Sequence, residues 1–232
     1  MKGTVLYEVR DGVALLTVDN PPVNPLSDGV RAGLYEGIAK AEADSSVVGV
    51  VLTGNGRAFI AGADISEFGG SGEGHGLHEV FKKLEYCSKP VVAAINGLAL
   101  GGGLETALCC NYRIASNQAF VGLPEVNLGL LPGAGGTQRL PRLVGPSEAL
   151  KIMLSGSHVT AKKALSLGIV DSLSDNVVED SIKFIKEKAA SSDSHPLVRD
   201  LNDKIIEARG NDNILVEAQA MTAKSRKGQF AP

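Results

Sequence analysis

Two glutamates stand in apolar surroundings, where a carboxyl group could take part in acid–base chemistry. Glu105 follows three consecutive glycines, Gly101 to Gly103, in the segment LALGGGLETALCC. Glu125 lies in FVGLPEVNLG, between a proline and apolar residues. A buried carboxylate is costly without a partner, and desolvation raises its pKa toward the range that suits a general acid or base near neutral pH. The two residues predict an acid–base site, although their spacing alone does not bring them together.

The glycine triplet adds a second chemical feature, because it stands where a helix is expected to begin. The first turn of a helix presents unpaired N–H groups and the positive end of the helix dipole, and glycine lets a ligand approach that backbone closely. Such a place suits an anion or a developing oxyanion. The alternative is that the glycines only permit close packing of the helix on a strand. In that case Glu105 is an ordinary first-turn charge and Glu125 a solvated loop carboxylate, and both interpretations stay open here.

Other kinds of site have weaker support in the sequence. GLALGGGLE does not match GxGxxG in register, and GAGGTQ lacks the Lys-Ser/Thr pair of a phosphate-binding loop, so we expect no nucleotide site. His75 and His78 have an HxxH spacing, but no convincing ligand set completes it, so no metal is expected. The three cysteines form a poor disulfide framework and are predicted to be buried free thiols: Cys87, Cys109 and Cys110.

Composition and charge restrict the class of protein. The 232 residues carry a formal net charge of −3, which argues against nucleic acid as a partner. The N-terminus has neither a signal nor a transit pattern, and no apolar run reaches the roughly 18–20 residues of a membrane span. We therefore expect a cytoplasmic protein without a membrane partner.

Strands that alternate with helices predict an α/β domain with largely parallel pairing. TVLYEVR and VALLTVD flank Asp11-Gly12, a strong hairpin signal. Val47–Gly54 and PVVAAING are apolar throughout, as in strands buried on both faces. GNGRAFIAGADISEF is expected as a loop that leads into a short helix, and the glycine-rich tip GGSGEGHG follows it. Helices are predicted at Ser27–Ala43, in HEVFKKLEYC, from the triplet to Cys110, and at Pro146–Ser155, Ala161–Leu167 and Val177–Ala190. We divide the chain into a core, residues 1–190, and a looser helical C-terminal segment, residues 191–232.

Three segments closely resemble, in the same order, the signature segments of the enoyl-CoA hydratase/isomerase (crotonase) superfamily. They are FIAGADISEF, KPVVAAINGLALGGGLETALCCNYRIAS and FVGLPEVNLGLLPGAGGTQRLPRLVG. NPPVN and the third segment are most similar to the hydratase part of multifunctional hydratase/3-hydroxyacyl-CoA dehydrogenase proteins. The resemblance implies a crotonase-like spiral of ββα units with a C-terminal helical appendage. It also implies a coenzyme A thioester as substrate and no separate cofactor.

The resemblance further implies roles for individual residues. Glu105 and Glu125 match the two catalytic acids, and the N–H groups of Ala63 and Gly102 match the oxyanion hole that receives the thioester carbonyl. The other substrate-binding positions that it implies are Ala61, Gly62, Asp64, Gly133 and Arg57. Arg57 stands where a basic residue meets the phosphates of coenzyme A, and a solvated loop arginine is the alternative.

The implied reaction is the addition of water to a 2-trans-enoyl-CoA in fatty-acid β-oxidation, because both acids are present. A Δ3-Δ2-enoyl-CoA isomerase, which needs only one acid, is the first alternative. A non-catalytic acyl-CoA-binding module is the alternative from another class. Family members that act alone continue through a longer C-terminal region that builds trimers. The resemblance therefore implies either a homotrimer or a covalently attached dehydrogenase domain in a longer protein, of which this chain would be a truncated part.

Overall fold

A six-stranded sheet and a four-stranded sheet form the centre of the computed structural model, which describes residues 3–64, 67, 74–191 and 194–225. The strands are β1 (Thr4–Arg10), β2 (Val13–Asp19), β3 (Gly49–Gly54), β4 (Ala58–Ala61), β5 (Val91–Ile95), β6 (Leu98–Leu100), β7 (Tyr112–Ser116), β8 (Phe120–Gly122), β9 (Val159–Thr160) and β10 (Ser172–Ser174). The helices are α1 (Asp28–Ala43), α2 (Leu77–Glu85), α3 (Gly102–Cys109), α4 (Gly136–Val144), α5 (Pro146–Ser155), α6 (Ala161–Leu167), α7 (Val177–Ala190), α8 (Asp203–Glu207) and α9 (Asn213–Ser225).

The chain passes repeatedly from one sheet to the other, and this sets the strand order of both sheets. The large sheet has the order β1-β2-β3-β5-β7-β10, and the small sheet has the order β4-β6-β8-β9. Each of the pairs β3/β4, β5/β6 and β7/β8 places one strand in each sheet; α3 follows β5/β6 directly, and α2 is the first described α-helix after β3/β4. Pairing is parallel except for β1 with β2 and β8 with β9. The result is the α/β spiral of ββα units that the sequence led us to expect.

Strand β3 shows why the large sheet is apolar on both faces. Val50 and Leu52 belong to the main core, whereas Val51 between them belongs to a second core on the opposite face. Neighbouring residues of a strand point to opposite faces, so a strand that is covered on both sides is apolar at nearly every position. Helix α7 closes the second core with Ile182 and Ile185, and α1, α2 and α3 contribute to the main one.

Most of the expected elements are confirmed. Asp11 and Gly12 form the turn of the first hairpin, with φ of +49° and +78°, and Arg10 pairs with Val13. Thr160 caps α6, because its hydroxyl accepts a hydrogen bond from the Lys163 N–H at 3.4 Å. Ser27 precedes α1 but does not cap it, since its hydroxyl accepts a hydrogen bond from Asn20 Nδ2.

Two short strands correct the sequence analysis. Residues 58–61 were expected to be a loop and form β4, and residues 98–100 form the separate strand β6. Strands of three or four residues are too short for a periodic pattern, and these two exist because they pair with each other. The short helix expected after Asp64 and most of the tip GGSGEGHG lie outside the described residues.

The C-terminal helices lie against the end of the core. Helix α8 contacts α4, and α9 contacts α5. Leu215 and Val216 of α9 are 67% and 61% exposed, so this segment buries little of its apolar surface. The division at residue 190 stays a prediction. No helix within the described residues is long and apolar enough to cross a membrane.

The buried position of Leu52 gives a test of this architecture. Leu52→Ala should lower the free energy of unfolding by about 2–5 kcal/mol, because a fully buried leucine leaves a cavity. Leu6→Ala on β1, where the side chain is 52% exposed, is the matched control and should cost much less. Chemical denaturation measures both. Equal losses would contradict the placement of β3 at the centre of the sheet.

Candidate active site

A cavity of about 710 Å³ opens at the ends of three parallel strands of the small sheet. Because β4, β6 and β8 run in the same direction, their carboxyl ends meet at one edge. Eight of the nine predicted site residues line this cavity: Ala61, Gly62, Ala63, Asp64, Gly102, Glu105, Glu125 and Gly133. The cavity wall is otherwise largely apolar and includes Val23, Leu77, Leu100, Leu130 and Leu131.

The backbone N–H groups of Ala63 and Gly102 belong to turns that lie against each other. A Cβ atom placed on Gly102 would be 3.5 Å from the Ala63 nitrogen. Gly102 is the first residue of α3, so its N–H has no acceptor within the helix. The Gly62 carbonyl accepts a hydrogen bond from the Leu26 N–H at 2.9 Å, which fixes the other turn. Neither amide donates in the described hydrogen bonds between backbone groups outside helices and strands.

The glycine triplet is what allows this approach. Gly101 has φ of +53° and ψ of −125°, which side chains with a Cβ atom rarely adopt. A Cβ on Gly103 would lie 1.8 Å from the Ile60 carbonyl oxygen, so only glycine lets α3 pack directly on β4. The two interpretations of the glycines, close packing and an anion site, therefore describe the same arrangement. The contact that Gly103 permits holds the Gly102 N–H near that of Ala63. We call these two N–H groups the amide notch.

Glu105 is held from one side by the glycine-rich loop that precedes α4. Its Oε1 accepts hydrogen bonds from the N–H groups of Ala134 at 2.9 Å and Gly136 at 2.7 Å. The residue is 2% exposed, and burial raises the pKa of its carboxyl group. The two N–H donors and the positive charge of Arg139 oppose that rise. One oxygen of this carboxyl group is thus fixed, while the residue lines the cavity.

Glu125 has a different environment in the same cavity. It begins a short 3-10 turn, Glu125–Leu128, directly after Pro124. Its Oε2 atom is buried and has no hydrogen-bond partner among the described residues. Burial, helped by the negative charge of Glu105, raises the pKa of its carboxyl group to about 7. Near neutral pH this side chain is therefore divided between its acid and its carboxylate forms.

Arg57 is the predicted site residue that the structure leaves outside the cavity. It lies in the turn that precedes β4, whereas Ala63 follows the other end of that strand, and it is exposed. It could reach only a part of a ligand that extends beyond the cavity, and its role toward coenzyme A phosphates stays a prediction. Asp64 and Gly133 line the wall of the cavity, and their roles toward the substrate stay predictions.

Sequence reasoning missed the residues that hold Glu105. The side chains of Ala134 and Gly136 give no sign that their N–H groups bind Glu105, and the glycine-rich run LPGAGG is the only sequence feature that could have pointed to them. His78, for which no metal-binding role is expected, lines the cavity from the first turn of α2. Among the cysteines, Cys109 and Cys110 are buried as expected, whereas Cys87 is only half-buried, and all three are free.

The spiral and its cavity define a crotonase-fold protein. Residues 8–229 match the enoyl-CoA hydratase/isomerase family, and the chain belongs to that family. It is 45% identical over 224 residues to a peroxisomal bifunctional enzyme of Cavia porcellus, covering 95% of the chain and 31% of that relative. It is 46% identical over 165 residues to a probable enoyl-CoA hydratase of Bacillus subtilis, covering 68% of the chain and 64% of the relative.

Solved structures agree with this assignment. The crystal structure of an enoyl-CoA hydratase from Bacillus anthracis superimposes with a TM-score of 0.74 at 28% identity and covers 98% of each chain. The present chain spans only about a third of the length of the bifunctional relatives, 31% of one and 32% of another from Danio rerio.

The raised pKa of Glu125 can be measured without any substrate. In glutamate-labelled protein, the carboxyl carbon of Glu125 should titrate near pH 7 in an NMR pH series. Glu105→Gln should lower that pKa, because it removes the negative charge that disfavours ionisation of Glu125. Glu36→Gln, on the exposed side of α1, is the control and should change nothing. A Glu125 titration near the ordinary value, or one unaffected by Glu105→Gln, would contradict the described electrostatics.

Proposed function

We propose that this chain adds water across the double bond of a 2-trans-enoyl-CoA to give a 3-hydroxyacyl-CoA in fatty-acid β-oxidation. The observation that carries the proposal is the presence of two carboxyl groups with different environments, Glu105 and Glu125, in one cavity beside the amide notch. Membership of the hydratase/isomerase family and relatives named as enoyl-CoA hydratase and as subunits of a fatty acid oxidation complex support it.

The amide notch would receive the thioester carbonyl oxygen of the substrate. When a nucleophile adds to C3 of the enoyl group, negative charge moves to that oxygen as an enolate forms. The N–H groups of Ala63 and Gly102 would donate to this oxygen from fixed positions, so that no reorganisation is needed as the charge develops. Removing one donor of such a pair typically slows a reaction by about 10²- to 10³-fold.

The two carboxyl groups would manage the protons of the reaction. A water molecule held between them adds its oxygen to C3 and gives up one proton to the Glu105 carboxylate. Glu125 in its acid form gives its proton to C2 as the enolate collapses. Return of a proton from Glu105 to Glu125 through solvent restores the starting state. Every step is an addition or a proton transfer, so the proposal requires no cofactor beyond the coenzyme A of the substrate.

Isomerase activity is the second candidate, because Glu125 alone could carry a proton between two carbon atoms. Its buried Oε2, which has no partner within the described part of the chain, and its pKa of about 7 suit that task. The hydratase remains our main proposal because Glu105 is held by two N–H donors and faces the same cavity.

The partners and compartment are part of the proposal. An acyl-CoA substrate is consistent with the family. A dehydrogenase domain in a longer protein is supported by the small share of the bifunctional relatives that this chain spans. The homotrimer implied by the resemblance and the cytoplasmic location are likewise proposals, and relatives named as peroxisomal make the compartment a question for localisation experiments.

Neutralising either acid tests the proposed hydration. Glu105→Gln and Glu125→Gln should each lower kcat for crotonyl-CoA by about 10²- to 10⁴-fold, since each removes one proton transfer. Binding of the unreactive butyryl-CoA, followed by calorimetry, should change little. Glu36→Gln should retain the wild-type rate. Near-wild-type turnover in either acid variant would overturn the paired-acid mechanism, and a wild-type chain that binds butyryl-CoA without hydrating crotonyl-CoA would identify a binding module.

The ratio of two reactions separates hydratase from isomerase. In wild-type protein, hydration of a 2-enoyl-CoA should exceed the double-bond shift of a 3-enoyl-CoA. Glu105→Gln should abolish hydration and spare the shift, because the shift needs one proton carrier. Glu125→Gln should abolish both reactions. A double-bond shift that is faster than hydration in the wild-type chain would make isomerisation the main activity.

A further inference from the structure

A buried ion pair lies behind the loop that holds Glu105. Arg139 of α4 donates from Nε to Glu85 Oε1 of α2 at 2.7 Å, and the two side chains are only 13% and 6% exposed. Arg199 approaches the other oxygen of Glu85 at 3.7 Å, and its guanidinium lies 4.1 Å from the centre of the Tyr86 ring. Burying such a pair removes both charges from water, and this cost can cancel the attraction between them. The ion pair is therefore weak evidence of added stability, and its presence calls for another explanation.

The second contact of Arg139 leads to the active site. Its Nη1 donates to the Ala134 carbonyl oxygen at 3.0 Å, while the N–H of the same residue donates to Glu105. A Cβ on Gly135 would lie 2.0 Å from that Nη1 atom, so the loop rests directly on the guanidinium group. The contacts run without interruption from Glu85 through Arg139 and Ala134 to the Glu105 carboxyl group.

We propose that Arg139, anchored by Glu85, is a positioning residue for Glu105. It fixes the loop so that the N–H groups of Ala134 and Gly136 point at one carboxyl oxygen, and it places a positive charge behind that carboxyl group. The hydrogen bonds of Arg139 by themselves support this positioning role. Its consequence for turnover rests on the hydration proposed above.

The geometry requires arginine in particular. The guanidinium group uses Nε toward α2 and Nη1 toward the loop, two acceptors on different elements. A planar fork can satisfy both at fixed angles, whereas the single nitrogen of lysine acts as a point charge on a flexible stem. A lysine here would keep the charge and lose the fixed direction.

Several groups besides Arg139 lie near Glu105. His78 from α2 and the N–H donors of the loop lower its pKa. Burial and the charge of Glu105 in turn raise the pKa values of Glu125 in the 3-10 turn and of Cys109 in α3. Arg139 lowers the pKa of Glu105, so loss of its charge should raise that pKa while the other groups stay in place.

The test compares Arg139→Gln, Arg139→Lys and Glu85→Gln with a matched control. Arg142→Gln makes the same change three residues along α4, where the guanidinium instead contacts Leu201 and Asn202. NMR titration reports the pKa of Glu105, and kinetics with crotonyl-CoA report kcat and KM across pH. A displacement of about 1 Å can cost on the order of a hundredfold in rate, so kcat should fall about 10- to 100-fold with KM nearly unchanged in Arg139→Gln.

The variants should separate charge from position. Arg139→Gln should raise the pKa of Glu105 and move the acid limb of the kcat profile to higher pH. Arg139→Lys should keep the pKa of Glu105 near its wild-type value but still lower kcat. Glu85→Gln should have both effects as well, because Arg139 keeps its charge but loses its hydrogen bond to α2. Arg142→Gln should resemble the wild-type protein in both measurements.

The outcomes decide the proposal even if one variant does not fold. If Arg139→Gln fails to fold, Arg139→Lys and Glu85→Gln carry the test. Folded variants with a wild-type Glu105 pKa in Arg139→Gln, or with wild-type kcat in Arg139→Lys and Glu85→Gln, would overturn it. If the wild-type chain does not hydrate crotonyl-CoA, the hydratase proposal fails, and the NMR titration of Arg139→Gln still decides whether Arg139 acts on Glu105.

Discussion

The whole site depends on one close contact between backbones, that of the first turn of α3 with β4. Gly103 brings the helix onto the Ile60 carbonyl so closely that a methyl group cannot fit between them. That contact sets the Gly102 N–H beside the N–H of Ala63 and orients the helix so that Glu105 faces the cavity. N–H groups without a helical acceptor are common at a helix start, but two from different turns lie this close only when the backbones are packed tightly.

The two glutamates beside that contact have different acid–base properties, because their surroundings differ. Glu105 gives one oxygen to two N–H donors and has Arg139 behind it, which favours its charged form against the effect of burial. Glu125 has a buried oxygen that receives no hydrogen bond from the described residues, and the nearby Glu105 adds repulsion, so its acid form persists near neutral pH. Different environments are a recurring way to give two carboxyl groups different roles in proton transfer.

Particular elements show how far the sequence could predict the fold. The first hairpin, the buried strands of the large sheet and helices such as α5, α6 and α7 follow from turn residues and apolar patterns that act locally. Strands β4 and β6 escaped prediction because three or four residues carry no periodicity, and they form by pairing with neighbouring strands of the small sheet. Arg57 lies outside the cavity, and its role toward the phosphates of coenzyme A stays a prediction that neither its residue type nor its position in the fold decides.

The sequence by itself determined the candidate chemistry: two glutamates in apolar segments, glycines where a helix begins, and an α/β order of elements. These properties depend on residue type and on neighbours along the chain, so they can be recognised without coordinates. Only the tertiary structure decided that Ala63, Gly102, Glu105 and Glu125 share one cavity, and that Ala134, Gly136 and Arg139 hold one of the acids. The physical reason is that strand pairing across the small sheet sets the distances between strand ends and the positions of the backbone donors. The types of residue along the chain do not reveal that pairing directly.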